Sequence, residues 1–216
     1  MVRLYCILIG YVFGLFQTAY IYGKLHGIDI RTVGSGNAGT TNALRVLGKK
    51  AGFIVFLGDV LKTVLAIIVA RLLFAESNPD IIYLLSLYTA AGAILGHNFP
   101  FYMGFKGGKG IAATAGLIVA FHPYFIVVEL SVFLITFFTT HYVSLGSLLV
   151  YTALMIQLVI SGQMGLFEGM SQASLYELYG VGAFLMVMAF WRHRQNIKKL
   201  IEGTERKTYL TKKSEQ

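Results

Sequence analysis

The chain has 216 residues, of which 56% are hydrophobic and only 13% charged, with three prolines, a formal net charge of +8 and a mean hydropathy of +0.68. These values exclude a soluble globular domain and a disordered chain, and they indicate an integral membrane protein. A single cysteine, Cys6, excludes an intrachain disulfide and chemistry by a cysteine pair.

The first apolar run, Leu4 to Tyr22, is longer than the core of a secretory leader and has no small-x-small cleavage site, so it is expected to remain as a span. Further apolar segments run from Ala51 to Phe74, Ile81 to Phe99, Val143 to Ile160 and, less cleanly, Ser174 to Trp191. Between the third and fourth of these five lies Ile111 to Thr140, too long for one ordinary span and interrupted by "FHPYF". Proline disfavours helix through the residue before it, so this segment predicts two short helices in a hairpin broken at His122 and Pro123.

Charge sets the number of crossings. Gly23 to Lys50 carries five Lys or Arg, Asn98 to Gly110 carries Lys106 and Lys109, and the tail from Arg192 carries eight, whereas the loops around Glu76 to Asp80 and Ser161 to Glu177 carry only acids. Basic loops stay cytoplasmic, and placing all three on one side requires the proline-centred segment to cross twice. The expectation is an all-α membrane protein of seven transmembrane helices, two of them short, with the N-terminus outside and the C-terminus in the cytoplasm.

That arrangement gathers three unusual stretches at one face. In "RTVGSGNAGTTNALRVLGKK", Gly34, Gly36 and Gly39 fit G-x-G-x-x-G, but no βαβ unit surrounds them, which argues against a dinucleotide site. The bland reading is a flexible glycine loop. Against it stand Ser35, Asn37, Thr40, Thr41 and Asn42, followed by Arg45, a string that offers hydroxyls, backbone N–H groups and a guanidinium to an anionic oxygen. In "GHNFPFYMGFKGGKG", Gly107, Gly108 and Gly110 surround Lys109 just before a helix N-terminus, which predicts a phosphate cradle. It is not a Walker A loop, because Met103 and Gly110 stand where glycine and Ser or Thr are required. The alternative is a positive-inside anchor. In "FWRHRQNIKKLIEGTERK", a basic segment after the last span is ordinarily an electrostatic anchor, but His193 and Asn196 lie three apart on one helical face that can turn toward the other loops.

Asp59 and Lys62, three apart inside the second span, are either a neutralised pair or part of a polar cavity, and Glu129 has no local partner and no assigned role. Two functional classes remain open from the residues themselves. A transporter of a phosphorylated small molecule would also want cationic loops, but it would show internal repeats and polar breaks at membrane depth; the one-sidedness of the polar motifs favours an enzyme.

The stretches "GSGNAGTTNALRVLG", "GHNFPFYMGFKGGKGIA" and "HRQNIKKLIEGTE", in that order and spacing, closely resemble the three signature motifs of the bacterial acyl-phosphate-dependent glycerol-3-phosphate acyltransferase family. The resemblance spans essentially the whole chain as a single domain, 1–216, and departs from the family at His141, where a basic residue would be expected before "YVSLGS". It implies an enzyme of the bacterial cytoplasmic membrane that moves a fatty acyl group from acyl phosphate to glycerol 3-phosphate, releasing 1-acylglycerol 3-phosphate and phosphate. The implied partners are those two substrates and membrane lipids, with no nucleic acid, cofactor, metal or covalent acyl-enzyme. No Ser-His-Asp arrangement or His-x-x-x-x-Asp motif is visible, which suits a donor that already carries a good leaving group. By the same resemblance, Ser35, Asn37, Thr41 and Arg45 would bind phosphate, Lys109 with Gly107, Gly108 and Gly110 would form the second cradle, His193 and Asn196 would contact the acceptor, His97 and Ser144 would line the site, and Glu205 would tie the tail to the body.

Overall fold

The structure, a computed structural model, describes residues 1–209 and is helical, with no strand among them. Among the described residues six stretches are long and apolar enough to cross a membrane: Val2–Leu25, Lys49–Phe74, Pro79–Met103, Pro123–Thr140, Val143–Gln163 and Gln172–Arg192. The helices within them, with three shorter ones, are α1 (Val2–Gly14), α2 (Thr18–Leu25), α3 (Thr40–Leu47), α4 (Lys49–Phe74), α5 (Ile82–Asn98), α6 (Ile111–Phe121), α7 (Pro123–Thr140), α8 (Val143–Gln163), α9 (Gln172–Arg192) and α10 (Arg194–Ile201). Large apolar side chains such as Leu72, Val127 and Phe138 face outward, as the surface of a bilayer protein requires.

The break at Pro123 is where the sequence places it. His122 is extended at φ −160° and its ring accepts from the Tyr124 N–H, while Pro123 opens α7 at a position where the missing N–H costs nothing. Of the two arms only α6 is short. Its 11 residues reach about 16 Å, whereas the 18 residues of α7 reach about 27 Å, close to a full hydrocarbon thickness.

A second break is not foreshadowed by any proline. The first apolar stretch divides at residues 15–17 into α1 and α2, exposing three carbonyls inside the bilayer region that must find donors. Buried Gln17 donates to Gly14 O, and also to Gly96 O and His97 O at the end of α5; Tyr102 Oη donates to Leu15 O at 2.6 Å; and Lys62 Nζ donates to Phe16 O at 2.8 Å. The stretch is held against α5 by glycine contacts: a Cβ at Gly10 would stand 1.9 Å from Thr89 O, and one at Gly92 2.2 Å from Ile7 O, so backbone packs directly on backbone. An aromatic cluster of Tyr83, Phe121, Phe125 and Phe167 closes the opposite end of the bundle. Glu129 in α7 is buried, and neither carboxyl oxygen has a partner among the described residues.

After α10 the chain folds back across the bundle. Thr208 N–H donates to His141 O, and the His141 ring packs on Tyr209, so His141 serves as a dock for the tail.

Candidate active site

The three glycine-and-base stretches converge on one cavity of about 330 Å³. One wall comes from the first loop and α3 (Ser35, Asn37, Thr40, Thr41, Arg45), another from the second loop and the start of α6 (Lys109, Gly110, Ile111), and a third from α8 and the tail (Ser144, His193, Asn196, Glu205). Asp59 and His97 contribute from α4 and α5. Phe56, Phe133, Leu134, Phe137 and Phe138 extend the cavity into an apolar side whose Leu134 and Phe138 are open to the lipid region.

The first loop is organised by Asn42, which the sequence places in the polar string offered to an anion and which instead binds the loop's own backbone. Its side chain is buried, accepts the Ser35 N–H at 2.8 Å and donates to Ile30 O at 2.9 Å and Val33 O at 3.1 Å. It fits because Gly34, at φ +64°, brings backbone to within reach: a Cβ there would lie 2.2 Å from Asn42 Oδ1. Outside the cavity Arg31 forks onto Asp29, holding that carboxyl far below its usual range. Thr40 Oγ1 is buried beside the cavity with no partner among the described residues. Only its membership of a polar run could have singled it out.

The second loop differs from the expected cradle. Gly107 and Gly108 do not line the cavity, and their N–H groups are already donated to Asn98 O and His97 O, both at 3.1 Å. Their carbonyls accept from Arg192 at 3.1 and 2.6 Å. The pair therefore clamps the loop between α5 and α9 and cannot itself present amides to an anion. The part of this loop that lines the cavity is Lys109, Gly110 and the start of α6, whose earliest intrahelical bond runs from Thr114 N to Gly110 O and leaves the N–H groups before it without an intrahelical acceptor.

The tail completes the ring. Lys109 Nζ donates to Asn196 Oδ1, Asn196 Nδ2 donates to Glu205 Oε1 at 2.7 Å, and Ser144 Oγ donates to the same oxygen at 2.8 Å. Arg45 Nη2 donates to Thr208 Oγ1 at 3.0 Å. Glu205 thus ties tail to body, as expected, and among the described residues it is also the one carboxylate set among Arg45, Lys109 and Asn196. His193 donates from Nδ1 to Ala189 O at 2.8 Å, which leaves Nε2 as a lone pair on the cavity side.

The site is electropositive beyond what Glu205 offsets. Burial, and then the neighbouring Arg192, Lys199 and Arg45, pull the Lys109 ammonium down to about 8 against the opposing pull of Glu205. Burial and Lys109 together push the His193 imidazole down to about 4, and burial also lowers the Arg45 guanidinium. Such depressed values mark a place where a negative ligand is wanted. Among the described residues no three His, Cys, Asp or Glu side chains form a metal-ligating group.

A pH dependence follows. Lys109 loses its charge as pH rises through about 8, so affinity for a phosphate monoester should fall about tenfold between pH 7 and pH 9. Calorimetric titration across that range checks the slope, and Lys109→Arg, which stays cationic, should flatten it.

The sequence profile of the family described as glycerol-3-phosphate acyltransferase matches residues 4–203. The glycerol-3-phosphate acyltransferase of Clostridioides difficile (strain 630) is 41% identical over 202 residues, covering 92% of each chain, and that of Alkaliphilus metalliredigens (strain QYMF) is 39% identical over 208 residues, covering 96% of each. Among solved structures, the glycerol 3-phosphate form of the integral membrane glycerol 3-phosphate acyltransferase PlsY (YgiH) superposes with a TM-score of 0.82 at 30% identity, covering 96% of each chain. Its lysophosphatidic acid form gives a TM-score of 0.79 at 29% identity. With that profile running through both glycine loops and through His193 and Asn196 of the third stretch, this multi-pass membrane chain belongs to the glycerol-3-phosphate acyltransferase family.

Proposed function

We propose that the protein transfers a long-chain acyl group from acyl phosphate to glycerol 3-phosphate, giving 1-acylglycerol 3-phosphate and inorganic phosphate at the cytoplasmic face of a bacterial membrane. The observation that carries this reading is one cavity in which a cationic head, made by Arg45, Lys109 and the α6 N-terminus, continues directly into an apolar side open toward lipid. An acyl phosphate has that polarity, and a second phosphate on the acceptor accounts for the further donors Ser35, Asn37 and Thr41.

The chemistry needs little activation. The glycerol hydroxyl attacks the acyl carbon, a new C–O ester bond forms, the C–O bond to phosphate breaks, and the hydroxyl proton ends on the departing phosphate. His193 Nε2 accepts a hydrogen bond from that hydroxyl and so orients it, with Asn196 alongside. We assign the proton to the departing phosphate rather than to His193, because burial and the neighbouring Lys109 and Arg192 hold that imidazole down to about 4, below even a phosphate monoester, whose second pKa is about 6. Arg45, Lys109 and the α6 amides neutralise charge on the leaving phosphate, and binding both partners supplies the orientation. His97 and Ser144 complete the lining.

Seven crossings, with the N-terminus outside and the C-terminus in the cytoplasm, fit this reading. The α6–α7 turn lies at the end away from the cavity: Phe121 O accepts from Arg71 in the last turn of α4, and Tyr124 borders Ser161 to Leu166. The α7–α8 turn is at the cavity end, beside Ser144. The hairpin therefore runs away from the cavity and back, despite the shortness of α6, and the basic loops fall on the cavity side.

The deciding experiment supplies purified protein in lipid with a long-chain acyl phosphate, glycerol 3-phosphate and a metal chelator. Lysophosphatidic acid and free phosphate should form, with acyl-CoA a poor donor and free glycerol a poor acceptor. Product from acyl-CoA but none from acyl phosphate would overturn the donor assignment.

A further inference from the structure

Asp59 and His97 of the cavity wall belong to a buried polar cluster whose third member, Lys62, lies behind that wall and has no part in the acyl-transfer steps above. Asp59, Lys62 and His97 are 1%, 4% and 3% exposed, which for two charged groups at membrane depth requires a purpose or a tight pairing. Lys62 Nζ lies 2.8 Å from each of three groups: Phe16 O, Asp59 Oδ1 and His97 Nδ1. Thr18 Oγ1 donates to the same Asp59 oxygen at 3.1 Å. An ammonium has three protons and no lone pair. The carbonyl and the carboxylate can only accept, so with Lys62 charged the third proton goes to His97 Nδ1, which must then be a bare acceptor. The opposite assignment, a neutral Lys62 accepting from Nδ1–H, would leave the Asp59 carboxylate without a counter-charge in the bilayer interior and is the costlier state.

With Nδ1 as acceptor, a neutral imidazole carries its proton on Nε2. That nitrogen has no partner among the described residues, and His97 lines the cavity. It lies against the backbone of Gly108, since a Cβ there would stand 2.1 Å from Nε2, and so sits beside the Lys109–Gly110 end of the cavity. We propose that Lys62 is a positioning residue that locks His97 in its Nε2–H form, making His97 a neutral donor to a substrate oxygen at the Lys109–Gly110 end of the cavity. The two cavity histidines then have opposite tautomers for opposite tasks. His193 is fixed by Ala189 O to accept from the hydroxyl, and His97 is fixed by Lys62 to donate. The broken first helix belongs to the same device, because Phe16 O is free for Lys62 only where α1 stops. This assignment rests on the acyl-transfer reading for its role, but not for its tautomer.

The test joins a spectroscopic measurement to kinetics. In protein labelled with 15N at the histidine ring nitrogens and reconstituted in nanodiscs, the His97 resonances, assigned by their loss in His97→Asn, should show Nδ1 unprotonated and Nε2 protonated at neutral pH. A protonated Nδ1 or an imidazolium would overturn the proposal. The charge-neutral double variant Asp59→Asn/Lys62→Met removes the lock without leaving a lone buried charge. It should keep its thermal unfolding midpoint within a few degrees while kcat falls roughly tenfold at nearly unchanged KM for glycerol 3-phosphate. His97→Gln, whose amide nitrogen takes the Nε2 place, should recover most of the kcat that His97→Asn loses. A normal kcat in the double variant, or equal loss in the Gln and Asn variants, would also overturn it. Wild-type protein that moves no acyl group from acyl phosphate would sink the functional reading instead, and the nitrogen spectrum would still decide the tautomer.

Discussion

Replacing Gly108 with alanine should lower kcat about a hundredfold in a protein that still inserts and folds, the size of loss expected when a reacting group is displaced by about 1 Å. The added methyl would sit 2.1 Å from His97 Nε2 and 2.9 Å from Ala38 O. Neither neighbour can retreat easily. The His97 ring is held at Nδ1 by Lys62, and the loop itself is pinned by Gly108 N–H to His97 O and by Arg192 to the carbonyls of Gly107 and Gly108. The strain therefore falls on His97 and on Lys109, one residue away. Had the Gly108 amide cradled phosphate, the loss would appear chiefly as a higher KM; because that amide is already spent, kcat should carry it. Gly180→Ala in α9, with nothing within 4 Å of the new methyl, is the control and should leave kcat and KM at wild-type values. Wild-type kcat in Gly108→Ala would show that the second loop tolerates movement and that Lys109 is not held by it.

The sequence carries the layout of this site better than its wiring. Apolar runs, a proline flanked by aromatics and the asymmetry of basic loops are local signals, and each describes something the chain does over a few residues. They suffice to place Ser35, Arg45, Lys109, His193 and Asn196 at one end of a bundle, and the cavity does bring them together. What stays hidden is set by partners far away along the chain. Gln17 reads as one polar residue in an apolar run, yet it satisfies carbonyls on both α1 and α5 where the helix stops. Asp59 and Lys62 read as an i,i+3 pair, and half of their meaning is the Phe16 carbonyl and the His97 ring, 46 and 35 residues from Lys62. Glycines near a lysine read as a phosphate loop, but whether their amides are free depends on what α5 does with its last carbonyls. Asn42, in a run of polar residues, cannot be distinguished from its neighbours until the loop closes on it. Local pattern thus fixes which face is functional, and tertiary contact decides which atom of each residue does the work.

The loss of His193 Nε2 should be as severe as the Gly108 change and different in kind. In His193→Asn the side-chain amide nitrogen takes the Nδ1 place and can still donate to Ala189 O, so the end of α9 and the start of α10 should keep their geometry. The acceptor at the ε position is gone. With no lone pair to meet the glycerol hydroxyl, kcat should fall roughly a hundredfold or more, the lower part of the range seen when an acid–base partner is removed. His193→Gln can return an oxygen to that position and should recover part of the loss. The pH profile separates orientation from proton abstraction. A base near 4 is deprotonated throughout the working range, so the variant should lower the whole kcat curve without moving its limbs. A limb that disappears with His193 would mean the imidazole takes the proton itself and the phosphate does not. Near-normal kcat in His193→Asn would transfer the orienting role to Asn196, which already shares Glu205 and Lys109 with this wall of the cavity.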